Sequence, residues 1–197
     1  ALVGGFAESG ALRNGFNPIV GAGMNGTVLH YKDNNCVAND GDLMVLDCGA
    51  SIAGYSADIT RGIPISGKFT KRQAKIYNIV LKAQKAAIKV IKPGATLAQA
   101  DAAARKIITD AGFGDFYPHG IGHHLGLETH DPSPTGKLRE GMVVTIEPGI
   151  YLPEEGIGVR IEDDILVTST GSRNLSSMIP KTVEEIESAI ATARKKK

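Results

Sequence analysis

The chain has 197 residues, a formal net charge of +1 and 42% hydrophobic residues, which is enough for a domain with its own core. The near-neutral charge gives no reason to expect nucleic acid or an anionic membrane as a partner. No apolar run approaches the roughly 18 residues that span a bilayer. The two cysteines, Cys36 and Cys48, are too few for a disulfide scaffold. We interpret both as reduced thiols, as in a cytoplasmic protein.

In chain order, the sequence predicts strands, two helices, more strands and a last helix. The segments "NPIVGAG", "GTVLHY" and "DLMVLDCG" are typical of strands broken by Gly, Asn and Asp. Further strands are predicted around "GMVVTIEPGIY" and "GVRIEDDILVT". Each helix is predicted to begin with a capping box: Thr70 with Gln73, Thr96 with Gln99, and Thr182 with Glu185. This order predicts one α+β domain over residues 1–197, without a linker.

Two acidic residues flank a predicted turn in "LDCGASIAGYSAD". If the segment folds between Ile52 and Ala53, Asp47 and Asp58 are equidistant from that point and face each other across an unbulged hairpin. Opposed residues have Cβ atoms roughly 4.5–5.5 Å apart, and like charges there are destabilising. The pair therefore needs a compensating charge.

A second hairpin repeats this arrangement in "TIEPGIYLPEEGIGVRIEDD". With the turn centred between Glu154 and Glu155, Glu147 and Glu162 are equidistant from it. Pro148 cannot donate a ladder hydrogen bond, so a bulge beside Glu147 is expected. Two pairs of facing carboxylates indicate a structural repeat and favour a pair of divalent cations between them.

A histidine cluster can supply the remaining ligand. The segment "HGIGHHLGLETHD" holds His119, His123, His124 and His130 among glycines that permit an irregular backbone. Carboxylates with one imidazole suit Mn, Fe, Co or catalytic Zn better than a structural zinc cage. No role is assigned to His124.

The sequence resembles the pita-bread metallopeptidases, in their Xaa-Pro aminopeptidase and Xaa-Pro dipeptidase (prolidase) branch. The resemblance runs from about Asn17 to Glu187 through "DCGASIAGYSADITR", "HGIGHHLGLETHD", "TIEPGIY" and "GVRIEDD", in the order expected for that branch. It implies a curved antiparallel sheet with helices packed outside, and a site with two divalent metal ions, foremost Mn(2+), with Co(2+) or Zn(2+) as alternatives.

The resemblance also implies a role for each matching residue. Asp47 would chelate one ion, His123 and Glu147 would bind the other, and Asp58 and Glu162 would bridge both. His30 would contact the substrate near the scissile bond, and His130 would stabilise the tetrahedral intermediate. His119 would line the substrate pocket, Arg160 would support the site from behind, and Glu147 would also shuttle a proton.

The implied activity is removal of the N-terminal residue from peptides with proline in second position. The alternative within this chemistry is a prolidase that cleaves only Xaa-Pro dipeptides. The alternative from another class is a non-catalytic pita-bread module that binds protein, which the retained ligand types argue against. The resemblance further implies a catalytic portion of a longer polypeptide, without a creatinase-like N-terminal domain or the helical segment before the first strand. Such a chain is expected to form a homo-oligomer or to associate with its N-terminal portion.

Overall fold

The structure, a computed structural model, describes residues 2–132 and 136–195. Its α-helices are α1 (Leu2–Glu8), α2 (Lys71–Val90), α3 (Leu97–Asp110) and α4 (Val183–Arg194). Its strands are β1 (Arg13–Asn14), β2 (Ile19–Ala22), β3 (Leu43–Cys48), β4 (Ala50–Ile52), β5 (Tyr55–Ser56), β6 (Ile59–Pro64), β7 (Val143–Ile146), β8 (Gly149–Leu152), β9 (Ile157–Arg160), β10 (Asp163–Val167) and β11 (Ser172–Asn174). The α+β class predicted from the sequence is confirmed.

The strands form four short antiparallel sheets in the described residues. Their orders are β1-β4-β5, β2-β3-β6, β11-β10-β7 and β8-β9. The first two sheets come from the first third of the chain, and the other two come from its last third. The sequence thus divides into two β-rich halves with α2 and α3 between them. In the described residues, no helix is long and apolar enough to cross a membrane.

All three predicted capping boxes form. At the start of α2, the Gln73 N–H donates to the Thr70 hydroxyl at 3.2 Å, and the Thr70 N–H donates to the Gln73 side chain at 2.9 Å. The same reciprocal pair opens α3 and α4. These bonds satisfy N–H groups that have no partner within a helix, and so they fix where each helix begins.

The core lies between α2, α3 and the strands of the second half. On α2, Ile76, Val80 and Ala83 are fully buried, and the helix lies against α3 and against β7, β8 and β9. Ile146 and Val159 contribute the sheet side of the same cluster. Burying such side chains stabilises the fold by roughly 1.5–3 kcal/mol each. The site-bearing strands of the second half are therefore held from behind by a helical layer.

Two predictions about the elements of the first half are wrong. The segment "GTVLHY" forms no strand; instead a 3-10 helix runs over Gly23–Thr27 and an irregular segment follows it. The cause is close packing: a Cβ on Gly26 would lie 2.9 Å from the Gly21 carbonyl oxygen, so the chain folds back tightly on β2. The expectation that no helical segment precedes the first strand is also wrong, because α1 precedes β1 although Gly4 and Gly5 within it are poor helix formers.

The first acidic hairpin has a different register from the predicted one. Asp47 lies opposite Thr60, not opposite Asp58. The loop is Ala53–Gly54, with φ of 51° and 88°, because Ile52 pairs with Tyr55. The predicted turn was one residue too early, which displaces the pairing by two residues. An even displacement keeps both aspartates on one face of the sheet, as diagonal neighbours.

The second hairpin has the predicted register. Leu152 pairs with Ile157, and Gly149 pairs with Arg160. Beyond a gap, Ile146 pairs with Asp163 in the same register. The gap contains Glu147 and Pro148 on one side and Ile161 and Glu162 on the other. The ladder thus opens at the proline, which cannot donate to it, but the expected bulge does not form, because the two strands contribute equal numbers of residues to the gap. The two glutamates therefore meet where the ladder opens.

Candidate metal centre

One cavity of about 600 Å³ collects the side chains that the sequence singled out. It lies between the two β-rich halves of the chain. All nine predicted site residues line it: His30, Asp47, Asp58, His119, His123, His130, Glu147, Arg160 and Glu162. His124, to which no role was assigned, is not among the lining residues.

Three of the ligand-type residues lie close enough to share one cation. Among the described residues, Asp58, His123 and Glu162 each offer one ligand atom, and these atoms lie within 4.8 Å of one another. Glu147 borders this group, with Oε1 at 3.5 Å from His123 Nε2. Asp58 Oδ2 lies 3.6 Å from the same nitrogen. The His123 ring thus stands between two carboxylates.

The other ring nitrogen of His123 is already engaged. Its Nδ1 lies 3.0 Å from the carbonyl oxygen of His124, which can only accept a hydrogen bond. The proton therefore resides on Nδ1 in the neutral ring, and Nε2 is left with a free lone pair directed at the carboxylates. This is the tautomer that a metal ligand needs.

Asp47 is held in place by an arginine. Arg160 Nη2 donates to Asp47 Oδ2 at 2.7 Å, and both side chains are buried. Arg160 Nε also donates to the Thr60 hydroxyl at 3.2 Å. The guanidinium orients Asp47 through Oδ2 and leaves Oδ1 without a hydrogen-bond partner among the described residues. The arginine predicted to support the site therefore contacts a ligand-type residue directly.

Unpaired carboxylate oxygens are the observation that tests the fit of a cation. Asp47 Oδ1, Asp58 Oδ1 and Glu162 Oε1 are buried and have no hydrogen-bond partner among the described residues. A buried anionic oxygen without a partner is strongly destabilising. Divalent cations with oxygen-rich coordination would satisfy all three, so the donor set fits such ions.

The pKa values of these carboxyl groups also indicate that their charged forms are destabilised. Burial raises the pKa of Asp47 to about 7, although Arg160 opposes the shift. Burial likewise raises the pKa of Glu147 to about 7. The pKa of Glu162 lies well above its usual value because of burial and the nearby Glu147 and Asp58. Without added positive charge, these acids are pushed toward their neutral forms.

Backbone contacts across the two halves bring the bridging candidates together. We call the segments Asp58–Arg61 and Glu162–Asp164 the seam. Here the Glu162 N–H donates to the Thr60 carbonyl at 3.1 Å, and the Thr60 hydroxyl donates to Glu162 Oε2 at 2.6 Å. The Asp58 N–H donates to Asp164 Oδ2 at 3.3 Å. The gap in the second hairpin is thus filled by hydrogen bonds from the first half.

Glycine is required immediately before His123. Gly122 has φ of 154°, and a Cβ there would lie 2.1 Å from the Thr145 carbonyl oxygen. The close approach lets the His123 N–H donate to the Thr145 hydroxyl at 3.1 Å, and that hydroxyl lies 3.4 Å from Glu147 Oε1. Gly122 therefore allows one threonine to link the histidine and a glutamate.

Gly122→Ala is expected to destabilise the protein by at least about 1–3 kcal/mol through backbone strain and to weaken cation binding, because His123 must move. Gly120→Ala is the matched control, since nothing lies within 4 Å of a Cβ at that position. Chemical denaturation and titration with a divalent cation would measure both effects. Equal stability and equal affinity of the two variants would contradict this account of Gly122.

His119 is kept neutral by burial, and a buried tyrosine orients its ring. Burial lowers its pKa to about 4. Arg160 Nη1 donates to the Tyr151 hydroxyl at 3.1 Å, so that hydroxyl can donate to His119 Nε2, at 2.9 Å. His119 Nδ1 in turn lies 2.8 Å from the Gly120 carbonyl oxygen. Tyr151 thereby connects the pocket histidine to the arginine that orients Asp47.

Two further histidines stand at the open side of the cavity. His130 is exposed, and its ring centroid lies 4.0 Å from that of His123. His30 is also exposed and lines the cavity from the irregular segment after the 3-10 helix. Both rings are placed to meet a ligand that enters from solvent.

Sequence reasoning missed three polar residues of this site. They are Thr60, Thr145 and Tyr151, each of which hydrogen-bonds a predicted site residue. A signal existed for two of them: Thr60 follows Asp58 and Thr145 precedes Glu147 by two positions, and alternate residues of a strand share a face. For Tyr151 the sequence holds no comparable signal.

Comparison with known proteins identifies the scaffold. Residues 2–169 match the model of metallopeptidase family M24. The chain is 38% identical to the Xaa-Pro aminopeptidase of Escherichia coli over 96% of its own length, and 43% identical to the Xaa-Pro dipeptidase of Pyrococcus horikoshii over 85%. It spans 50% and 49% of those relatives, respectively. The structure of Pseudomonas aeruginosa aminopeptidase PepP superposes with a TM-score of 0.92 at 36% identity, covering 98% of this chain and 51% of that one. The pita-bread fold expected from the sequence is thus confirmed.

Proposed function

The chain belongs to metallopeptidase family M24, and from that premise we propose that it is a metal-dependent exopeptidase that removes the N-terminal residue from peptides with proline second. The observation that carries the proposal is the set of buried, unpartnered carboxylate oxygens on residues that line, together with His123, a cavity of about 600 Å³. Relatives named Xaa-Pro aminopeptidase support the choice of peptide.

Five residues would hold two divalent ions. We assign Asp47 to one ion, His123 and Glu147 to the other, and Asp58 and Glu162 to both. Bound there, the ions would supply Lewis-acid polarisation of the scissile carbonyl and an activated water. We propose Mn(2+) as the native metal, with Co(2+) and Zn(2+) as alternatives that the same ligands accept.

The remaining side chains would act on the substrate directly. Glu147, whose Oε1 lies 3.5 Å from His123 Nε2, would carry a proton from the water to the leaving proline nitrogen. His130 would donate a hydrogen bond to the developing oxyanion, and His30 would contact the peptide near the scissile bond. His119, kept neutral by burial, would line the pocket for the substrate. Arg160 would hold Asp47 in place through their 2.7 Å contact.

A dipeptidase is the second candidate. A relative named Xaa-Pro dipeptidase is 43% identical to this chain, which is as similar as the aminopeptidases are. The two activities differ only in whether a third residue is accepted beyond proline. Both activities require a cavity that accepts an Xaa-Pro unit, so the cavity is compatible with an aminopeptidase and with a dipeptidase. The assay must therefore offer both substrates together.

The deciding experiment offers an Xaa-Pro dipeptide and an Xaa-Pro-Yaa tripeptide at equal concentration to the Mn(2+)-loaded protein. Mass spectrometry would monitor both peptides. We expect the tripeptide to lose its first residue in the metal-loaded sample and to remain intact in a chelated sample. An Xaa-Ala-Yaa tripeptide serves as the control for the proline requirement. Loss of the dipeptide alone would replace the aminopeptidase with a prolidase, and loss of neither peptide would refute the proposal.

A further inference from the structure

A buried arginine lies directly behind the two bridging candidates, outside the cavity. Arg61 is only 6% exposed, and it belongs to β6, three residues after Asp58. Its Nη1 donates to the carbonyl oxygens of Thr60, at 2.9 Å, and Glu162, at 2.6 Å. One nitrogen thus joins the backbone of both halves at the seam. Arg61 makes these contacts without lining the cavity.

The same guanidinium is fixed from its other side. Arg61 Nη2 donates to Asp163 Oδ1 at 2.7 Å, and Nε donates to the Pro180 carbonyl at 2.9 Å. Asp163 is fully buried, and its second oxygen accepts hydrogen bonds from Asn174 and Lys181. Both carboxylate oxygens are thus engaged, so Asp163 is a fully satisfied anchor for the arginine.

From these contacts we propose that Arg61 is a positioning residue that sets the distance between the carboxylates of Asp58 and Glu162. The inference rests on the proposed metal site. Asp58 comes from the first half and Glu162 from the second, so their separation depends on how the two backbones dock. Arg61 bonds to both backbones within the seam and is immobilised by Asp163. A cation pair bridged by both carboxylates would be sensitive to a few tenths of an ångström in that docking.

Arginine is required for this task rather than positive charge alone. Its planar fork directs separate N–H groups at Thr60, Glu162, Asp163 and Pro180 at once. A lysine can keep the ion pair with Asp163, but its single ammonium cannot reach both backbone carbonyls in the same geometry. Lysine therefore separates the electrostatic role of Arg61 from its positioning role.

The test compares Arg61→Lys with the wild-type chain in titrations with Mn(2+) and Co(2+) after removal of bound metal. We expect affinity for at least one ion to fall by about 10- to 100-fold, the usual effect of losing a partner that orients metal ligands. The visible spectrum of the Co(2+) form is expected to change, because the coordination geometry changes. Arg72→Lys is the matched control, since Arg72 makes a bidentate but exposed contact with Glu155, and neither residue belongs to the seam.

Asp163→Asn gives a second route, since it leaves Arg61 present but removes its anchor. Asp163→Asn is also expected to lower the affinity for divalent ions. It tests the positioning role of Arg61 if the Arg61→Lys variant does not fold. Wild-type affinities and an unchanged Co(2+) spectrum in the folded variant would overturn the proposal, even if thermal stability fell, because a purely structural arginine would lower stability alone. Failure of the wild-type chain to bind two ions would instead refute the proposed function.

Discussion

Glu162→Gln is expected to eliminate binding of a second divalent ion and to reduce peptide hydrolysis by on the order of 10³-fold or more. A bridging carboxylate serves both ions, and metal-ion catalysis supplies several kcal/mol of transition-state stabilisation, at about 1.4 kcal/mol per factor of ten. Glutamine retains the volume and the contact with Thr60 but offers a single neutral ligand oxygen. Metal content by mass spectrometry and initial rates on an Xaa-Pro-Yaa peptide would measure the effect.

The same variant should have the opposite effect on the metal-free protein. Glu162 is buried among Glu147, Asp58 and Asp47, and all three raise its pKa. Removing its charge relieves that repulsion, so chelated Glu162→Gln is expected to unfold no more easily than the chelated wild type. Glu154→Gln, in the exposed turn Pro153–Glu155, is the control that should change neither property. A variant that still bound two ions would contradict the bridging role of Glu162.

The free energy of unfolding of the metal-free protein is expected to decrease as the pH rises from about 4 to about 8. In the metal-free chain, the pKa values of Asp47 and Glu147 are raised from 3.8 and 4.5 to about 7. In this window the folded state binds protons that the unfolded chain has released, so the free energy of unfolding decreases with pH. The contribution is greatest below the unfolded pKa values and is lost as the pH passes through about 7.

The metal-loaded protein should follow the reverse trend. Metal ligands bind in their deprotonated forms, so cation affinity increases with pH over the same window. The gap in stability between loaded and chelated samples is therefore expected to widen from acidic to neutral pH. Urea denaturation at several pH values would measure it, with Asp47→Asn as the control that removes one of the titrating groups. An identical pH slope in chelated wild type and Asp47→Asn would contradict the assignment.

The alternation of the strands made the candidate site predictable even where the register was wrong. The turn of the first hairpin was placed one residue too early, because nothing in "ASIAGYSA" marks Ala53 as a residue with positive φ. Since a strand has a period of two, the resulting two-residue displacement left Asp47 and Asp58 on the same face. In the second hairpin, the strong turn signal "LPEEG" gave the correct register. The face of the sheet on which a residue lies can thus be predicted more reliably than its partner on the neighbouring strand.

Contacts between the halves could not be predicted from the sequence. Thr60 and Glu162 are 102 positions apart, and no local pattern in either segment indicates that the hydroxyl of one meets the carboxylate of the other. The same holds for Arg61, whose five acceptors are its neighbour Thr60 and four residues of the second half. The capping boxes, by contrast, depend on residues three positions apart and were predicted correctly. The roles assigned to the individual ligands remain predictions that the experiments above address.

The break in the second hairpin has a consequence for the thermodynamics of ion capture. Both glutamates there lose their ladder partners, yet the Glu147 N–H donates to the Ile121 carbonyl at 2.8 Å and the Glu162 N–H donates to the Thr60 carbonyl. The backbone around the carboxylates is therefore already ordered by tertiary hydrogen bonds. An arriving cation would meet a preorganised set of ligands, and the conformational entropy of arranging them would have been lost on folding rather than on binding.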